Sequence, residues 1–188
     1  VRSSAASDVY KRQVWGHEFS GEVVEAGPAV TELKVGDRVV GCPNLVCHEC
    51  EYCKSGYPSR CESLNTIGAY VPGAFAEYIK MPAVNLVKMV EGMTFEQGAL
   101  VEPATVAIHG LYQTNIKMGY EVAILGCGNI GLMAIQWAKA FGAKKVFAID
   151  IDDAQLQAAE DFGADVLINS ADIDFHDEIR KYGNGVDL

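Results

Sequence analysis

The chain has 188 residues, enough for one large domain or two small ones, and its hydrophobic and charged fractions are those of an ordinary soluble globular protein. A formal net charge of −10 repels phosphate backbones and argues against a nucleic-acid partner. The sequence contains no apolar run of the roughly 18–20 residues that span a bilayer, and no signal peptide near its start. We therefore expect a cytoplasmic protein with no membrane partner, in which thiols stay reduced.

The first thirteen residues, "VRSSAASDVYKRQ", are basic and rich in Ser and Ala. The next motif, "GHEFSGEVVEAG", places His17 and Glu18 in a glycine-flanked turn that enters an alternating, strand-like segment. A histidine beside a carboxylate is a candidate site, but a satisfied surface pair explains these two residues equally well.

Four cysteines follow in a short loop-rich stretch: Cys47, Cys50, Cys53 and Cys61. Disulfides are disfavoured in a reducing compartment, whereas two-residue gaps and a longer return are typical of a tetrahedral thiolate cage. Four sulfurs leave no open coordination position, so the motif predicts a structural zinc site that does no chemistry. The other two cysteines lack partners at ligand spacing and are predicted to be small buried residues: Cys42 and Cys127.

The segment "TFEQGALVEPATVAIHGLYQ" predicts one helix, with Thr94 and Gln97 spaced as a capping box. Glu102 stands in its long apolar stretch, just before Pro103. A carboxylate near a helix start gains from the helix dipole, which is one explanation for Glu102. A metal that compensates the charge in this apolar setting is the other.

A glycine-rich motif follows the short strand "EVAIL" directly and opens the next helix. Strand, turn, helix and second strand in this order predict a dinucleotide site, against the alternative of a plain tight turn. Its candidate cofactor-binding residues are Gly126, Gly128, Asn129, Ile130 and Gly131. The glycines let the backbone approach a pyrophosphate, which rests on the helix N-terminus.

The second strand, "KVFAID", ends at Asp150, which is placed to bind the ribose hydroxyls. Its charge would repel a 2′-phosphate, which favours NAD over NADP. Asp152 is the better candidate for capping the following helix, and this frees Asp150 for the ribose. Another helix and strand, a third helical stretch and the start of a fourth strand at "GVDL" complete the pattern. The C-terminal part therefore predicts an α/β fold, an incomplete Rossmann-type doubly wound parallel sheet.

Three motifs in order carry a family resemblance: "GHEFSGEVVEAG", the cysteine stretch and the glycine-rich turn with its acid. Together they resemble the zinc-containing medium-chain alcohol and polyol dehydrogenases, from about residue 14 to 188. The Glu-Pro pair is typical of the polyol branch, and the run "GHEFSG…TIGAYVPGAFAEYIK…GALVEPATV" is most similar to the galactitol-1-phosphate 5-dehydrogenases of that branch. The resemblance implies a non-family head (1–13), a partial GroES-like β-barrel catalytic domain (14–108) and a partial Rossmann NAD-binding domain (109–188).

The resemblance also implies the chemistry. His17, Glu18 and Glu102 would be the catalytic residues and would hold a catalytic zinc, with Glu18 approaching the metal directly or through water. This zinc, distinct from the structural one, would act as a Lewis acid on the hydroxyl of a polyol or polyol phosphate such as galactitol 1-phosphate. Hydride would pass to NAD, giving a ketose, and the complete protein would be a homodimer or homotetramer.

The sequence departs from the family pattern before His17, where the family's first zinc ligand, a cysteine, has no counterpart. A truncated reading frame with foreign sequence at its start explains the head better than divergence does, and we expect this chain alone to be inactive. Three alternatives stay open: a sorbitol-, butanediol- or threonine-type enzyme, a zinc-free quinone reductase, and a non-catalytic zinc- and nucleotide-binding module.

Overall fold

The computed structural model describes residues 14–188, so the predicted head lies outside the described residues. The chain divides into two compact units, one that ends at Glu102 and one formed by Pro103–Leu188. The division at Glu102 lies within the helix Val101–Gln113. The predicted domain boundary, between residues 108 and 109, lies further along that helix. In the described part of the chain, no helix is long and apolar enough to cross a membrane.

The first unit contains two small antiparallel sheets. A three-stranded sheet has the order β1 (Ser20–Glu22), β2 (Arg38–Gly41), β5 (Leu86–Lys88), and a two-stranded one pairs β3 (Asn44–Leu45) with β4 (Asn65–Thr66). Helices α1 (Glu51–Lys54) and α2 (Phe95–Ala99) and two 3-10 turns (Pro58–Arg60 and Ala83–Asn85) complete the unit.

A buried amide joins the two sheets of this unit. Asn85 lies just before β5, and its Nδ2 donates to the carbonyl oxygens of Cys42, at 3.0 Å, and Asn44, at 2.8 Å. These bonds satisfy a polar group that would be costly to bury alone. They also fix the path of the chain from β2 into the segment that carries the four clustered cysteines.

The predicted single helix is two helices, α2 and α3 (Val101–Gln113), separated by Leu100. Pro103 explains the break, because it has no N–H to donate to the carbonyl of Ala99 four residues earlier. The predicted capping box is confirmed: Gln97 N donates to Thr94 Oγ1 at 3.2 Å, and Thr94 N donates to Gln97 Oε1 at 2.9 Å.

The second unit is built on a parallel sheet, as predicted. Its strand order is β6 (Glu121–Leu125), β7 (Lys145–Asp150), β8 (Val166–Asn169). The helices that alternate with these strands are α4 (Asn129–Ala140), α5 (Asp153–Asp161) and α6 (Phe175–Arg180). Asp152 caps α5, as predicted, by accepting from the N–H of Ala154.

The last residues run along the free side of β6. Asp187 N donates to Glu121 O at 2.8 Å, and Ala123 N donates to Leu188 O at 2.7 Å. The sequence predicts a strand at this point, and the structure shows strand-like pairing that is too short to count as one. These bonds give the segment the position of the fourth strand in a doubly wound sheet.

The core of this unit lies on both faces of the sheet, and β7 shows why. Its residues 146–149 are all almost completely buried, with side chains that alternate between two apolar clusters. A strand covered on both faces needs such an unbroken apolar run, which is typical of parallel sheets between helices.

Two neighbouring residues of β8 test this burial. Ile168 is 1% exposed and Leu167 is 37% exposed, although both side chains lose the same number of atoms on replacement by Ala. We expect Ile168→Ala to lower the free energy of unfolding by about 2–5 kcal/mol. Leu167→Ala, which removes fewer buried contacts, should cost about 1–1.5 kcal/mol. Urea unfolding followed by Trp137 fluorescence in a Trp15→Phe background measures both, and equal costs would contradict the two-sided core.

Candidate functional site

The cysteine lobe, defined as residues 47–61, gathers four sulfurs around a point. Helix α1 carries Cys53, while Cys50 precedes it and Cys61 follows the first 3-10 turn. The Sγ atoms of these three residues and Cys47 all lie within 4.8 Å of one another. The six cysteines of the chain are all free thiols, so the disulfide alternative is wrong.

The sulfur separations fit a tetrahedral zinc ion. Cys47 Sγ lies 3.5 Å from Cys61 Sγ and 3.9 Å from Cys53 Sγ. Four Zn–S bonds of about 2.3 Å in a tetrahedron place the sulfurs about 3.8 Å apart. The donor set and its spacing therefore match a closed zinc site of four thiolates, and each ligand would come from this lobe alone.

Backbone N–H groups in the lobe donate to its sulfurs. The N–H groups of Glu49 and Cys50 donate to Cys47 Sγ at 3.4 and 3.3 Å. The pKa of Cys50 falls to about 6, chiefly because the backbone N–H of Cys53 donates to it. Removal from water instead raises the pKa of Cys53 to about 12. The lobe thus favours some thiolates by itself, and a cation is needed to hold four together.

The remaining cysteines divide, and one prediction is wrong. Cys127 is fully buried, as predicted, but Cys42 is exposed. Its neighbours Gly41 and Pro43 are buried, so the alternation at the end of β2 turns the Cys42 side chain outward. Spacing alone could not reveal the phase of that alternation.

A second ligand cluster contains His17, Glu18 and Glu102. One ligand atom from each lies within 4.8 Å of the others, although Glu102 is distant in sequence. His17 and Glu18 are exposed in the turn before β1, and Glu102 is half-buried in the first turn of α3. The structure thus brings all three predicted residues together, whereas His48 is an exposed residue of the cysteine lobe, as predicted.

The electrostatics of this cluster suit a cation. Burial raises the pKa of Glu102 above its ordinary value, the charge of Glu18 adds to the rise, and His17 opposes it. One imidazole and two carboxylates are ligands that zinc accepts, and three protein ligands leave a position open for a substrate oxygen. The residues present therefore fit a catalytic zinc, in contrast to the closed cysteine lobe.

The glycine-rich turn lies between β6 and α4. Gly126 has a φ of 90°, and a Cβ on Gly131 would overlap the carbonyl oxygen of Gly126. Gly128 is the N-cap of α4, and a Cβ there would meet nothing within 4 Å. Asn129 and Ile130 form the first turn of this helix. Gly131 thus packs against Gly126 within the turn, whereas the space next to Gly128, at the N-terminus of α4, is open. A pyrophosphate site requires such open space at a helix N-terminus.

Asp150 contacts this turn directly. Its Oδ2 accepts from the N–H of Cys127 at 2.6 Å, and its Oδ1 accepts from the N–H groups of Ile151 at 2.7 Å and Asp152 at 3.0 Å. These donors, Cys127 first, lower the pKa of Asp150 below its ordinary value. The predicted ribose ligand is thus held anionic and oriented by backbone that includes the glycine-rich turn. Sequence reasoning missed the bond to Cys127, for which no local signal exists.

Two family models match the chain. Alcohol dehydrogenase GroES-like domain matches residues 4–91, and Zinc-binding dehydrogenase matches residues 129–188. The first match begins within the predicted head, and the second begins at the residue that opens α4.

Individual proteins match along most of the chain. It is 42% identical over 168 residues to L-threonine 3-dehydrogenase of Francisella tularensis subsp. novicida, covering 89% of this chain and 48% of that protein. Crystal structures of galactitol-1-phosphate dehydrogenase from Escherichia coli and of a zinc-binding dehydrogenase from Sinorhizobium meliloti bound to NADP superpose with TM-scores of 0.86 and 0.90. The galactitol-1-phosphate dehydrogenase is 38% identical, and the match covers 90% of this chain and 49% of that protein. The zinc-binding dehydrogenase is 36% identical, and the match covers 93% of this chain and 52% of that protein.

The chain therefore spans about half the length of the curated relatives it matches. The GroES-like family model covers the part of the chain that carries the cysteine lobe and His17. The zinc-binding dehydrogenase model covers the part that carries most of the parallel sheet. The chain belongs to the zinc-containing medium-chain alcohol dehydrogenase family.

Proposed function

We propose that the protein to which this chain belongs is a zinc- and NAD-dependent dehydrogenase that oxidises a polyol or polyol phosphate to a ketose. The observation that carries the proposal is the cluster of His17, Glu18 and Glu102, whose ligand atoms lie within 4.8 Å of one another. Three ligands that leave a coordination position open suit a metal that acts on a substrate, whereas four sulfurs suit a metal that only holds a loop.

The residues have distinct tasks in this proposal. His17 and Glu102 hold the catalytic metal, and Glu18 approaches it directly or through water. The glycine-rich turn and the first turn of α4 bind the pyrophosphate, and Asp150 binds the ribose. When bound, zinc supplies Lewis acidity to a substrate hydroxyl, and the nicotinamide accepts the hydride.

NAD is the proposed cofactor because the Asp150 carboxylate is held anionic where a 2′-phosphate would lie. The NADP-bound relative makes this preference a point to measure for this chain.

Galactitol 1-phosphate is the first candidate substrate, supported by the "TIGAYVPGAFAEYIK" segment and by the galactitol-1-phosphate dehydrogenase structure. L-Threonine is the second, because the relative at 42% identity is an L-threonine 3-dehydrogenase. Sorbitol and butanediol are further candidates of the same kind. We propose a cytoplasmic homodimer or homotetramer as the complete protein.

Two other hypotheses make different predictions. A zinc-free relative such as a quinone reductase would use no metal at His17, and a non-catalytic module would bind zinc and nucleotide without turnover.

Residues 1–41 contain no cysteine to serve as the family's first zinc ligand. We therefore propose that residues 1–188 alone bind the second zinc weakly and do not turn over.

Zinc content tests the division between the two metal sites. We expect the chain to keep one zinc after dialysis and Cys50→Ser to keep none, because three sulfurs cannot close the site. Cys42→Ser is the matched control, since its exposed thiol lies outside the lobe, and it should keep one zinc. Elemental analysis measures all three proteins. A full zinc in Cys50→Ser would show that the lobe is not the tight site.

Cofactor binding tests the role of Asp150. We expect Asp150→Asn to weaken NADH binding by about tenfold or more, because hydrogen bonds to a charged group contribute about 1.5–3 kcal/mol. NADPH binding should suffer less, since its 2′-phosphate no longer meets the charge. Asp161→Asn, at the exposed end of α5, removes the same charge elsewhere. Fluorescence titration gives the four affinities, and parallel losses for both variants would remove Asp150 from the cofactor site.

The substrate is tested on the gene completed from its native flanking sequence. Formation of the reduced coenzyme is followed with galactitol 1-phosphate, galactitol and L-threonine, each with NAD and with NADP. A preference for galactitol 1-phosphate supports the first candidate, and a preference for L-threonine supports the second. Absence of NADH and NADPH formation with every alcohol, in a protein that holds two zinc ions, would contradict a dehydrogenase.

A further inference from the structure

Three glycines interlock at the turn that carries His17. Gly16, which precedes His17, has a φ of 92°, and a Cβ on it would lie 2.7 Å from Phe75 Cε1. A Cβ on Gly68 would lie 2.5 Å from the carbonyl oxygen of Gly16. A Cβ on Gly73 would overlap that same oxygen and lie 2.6 Å from the Cα of Gly68. The three backbones are therefore closer than any side chain permits.

Backbone hydrogen bonds from residues 73–75 to the segment before His17 stabilise this contact. Three successive N–H groups donate to the residues before His17: Gly73 to Val14 O at 2.7 Å, Ala74 to Gly16 O at 2.8 Å, and Phe75 to Trp15 O at 2.8 Å. Gly68 N in turn donates to Val71 O at 2.8 Å, which closes the loop that brings Gly68 against Gly73. We call residues 68–75 the glycine clamp.

The clamp holds the backbone on the N-terminal side of His17, whereas on its C-terminal side Gly41 N donates to Phe19 O at 3.4 Å. His17 is exposed and lies before β1, which starts at Ser20, so β-sheet pairing does not hold its backbone. Metal sites require ligands held within a fraction of an ångström, and support from outside the ligand set tunes affinity strongly. The bonds to Val14, Trp15 and Gly16 are the described backbone bonds nearest to His17 on its N-terminal side.

We infer that the glycine clamp is a positioning element for the His17 metal ligand, with Gly73 as its central residue. The inference rests on the proposed catalytic zinc site and adds to it residues that are distant in sequence from the three ligands but close in space to His17. Gly73 touches neither substrate nor metal in this account. It sets where the His17 backbone lies, and thereby where the imidazole meets Glu18 and Glu102.

Gly73→Ala tests the clamp, with Gly27→Ala as the matched control. A Cβ on Gly27 would meet nothing within 4 Å, so this control adds the same methyl group without a clash. We expect Gly73→Ala to weaken binding of the second zinc at least tenfold in chelator-competition titrations, whereas Gly27→Ala leaves it unchanged. The cysteine lobe is an internal control, because the thiolate charge-transfer band of its cobalt(II) form should be unchanged in both variants.

A metal-free readout separates this inference from the proposed function. The chain has four histidines, so the ring resonance of His17 is assigned with His17→Gln. We expect this resonance to shift or split in Gly73→Ala and to stay as in the unaltered chain in Gly27→Ala. If the unaltered chain binds no second zinc, the proposed metal site fails, and the His17 resonance still decides on the clamp.

If Gly73→Ala also loses the thiolate charge-transfer band of the cysteine lobe, the substitution has disturbed the fold more widely, and a milder variant is needed. Phe75→Ala removes the ring packed on Gly16, and because that ring is 78% exposed, the fold should survive. Tyr78→Ala, which removes a ring that is 73% exposed, is its control. We expect heterogeneous His17 resonances in Phe75→Ala only. Identical His17 spectra and second-zinc affinities across both clamp variants and their controls would overturn the inference.

Discussion

The candidate catalytic-metal cluster and the candidate dinucleotide site share one constraint: beside each, backbone segments approach each other more closely than a Cβ atom allows. In the first unit, Gly73 lies against the carbonyl of Gly16, next to His17. In the second, Gly131 lies against the carbonyl of Gly126, at the start of α4. Because glycine has no Cβ, the two backbone segments can come into direct contact at each position, and the contact limits where the following residues can lie. The contacts differ in sequence distance but have the same physical basis.

Each of the two units contains an acidic side chain whose pKa is shifted by its surroundings. The chain carries a formal net charge of −10, and its ligand clusters concentrate acidic groups or thiols within 4.8 Å. Burial raises the pKa of Glu102, which disfavours the carboxylate form there. At Asp150, backbone N–H groups lower the pKa instead, so the charge is stabilised by the fold itself. One acid is thus suited to receive a metal ion, and the other to accept hydroxyl donors.

Local signals in the sequence predicted the features that depend on neighbouring residues. The spacing of Cys47 and its three partners, the capping box at Thr94 and the glycine-rich turn were all readable, because each is formed within a few turns of chain. Features that depend on tertiary packing were not: the exposure of Cys42, and the bond from the Cys127 N–H to Asp150, which joins the ends of neighbouring strands. The break at Leu100 does have a local signal, the missing N–H of Pro103, which the prediction of a single helix overlooked. The proximity of Glu102 to His17 was reached through the family resemblance.

The bond between Asp150 and Cys127 has a consequence for how this fold changes its cofactor. A single carboxylate serves both the end of β7 and the backbone of the glycine-rich turn. The side chain at position 150 therefore has two separate properties, its charge and its acceptor for the Cys127 amide. Asn at this position would lose the charge and keep an acceptor oxygen, whereas Ala or Gly would lose both and leave the Cys127 amide without this acceptor. The tolerance of the glycine-rich turn for a substitution at position 150 should thus depend on the acceptor as well as on the charge.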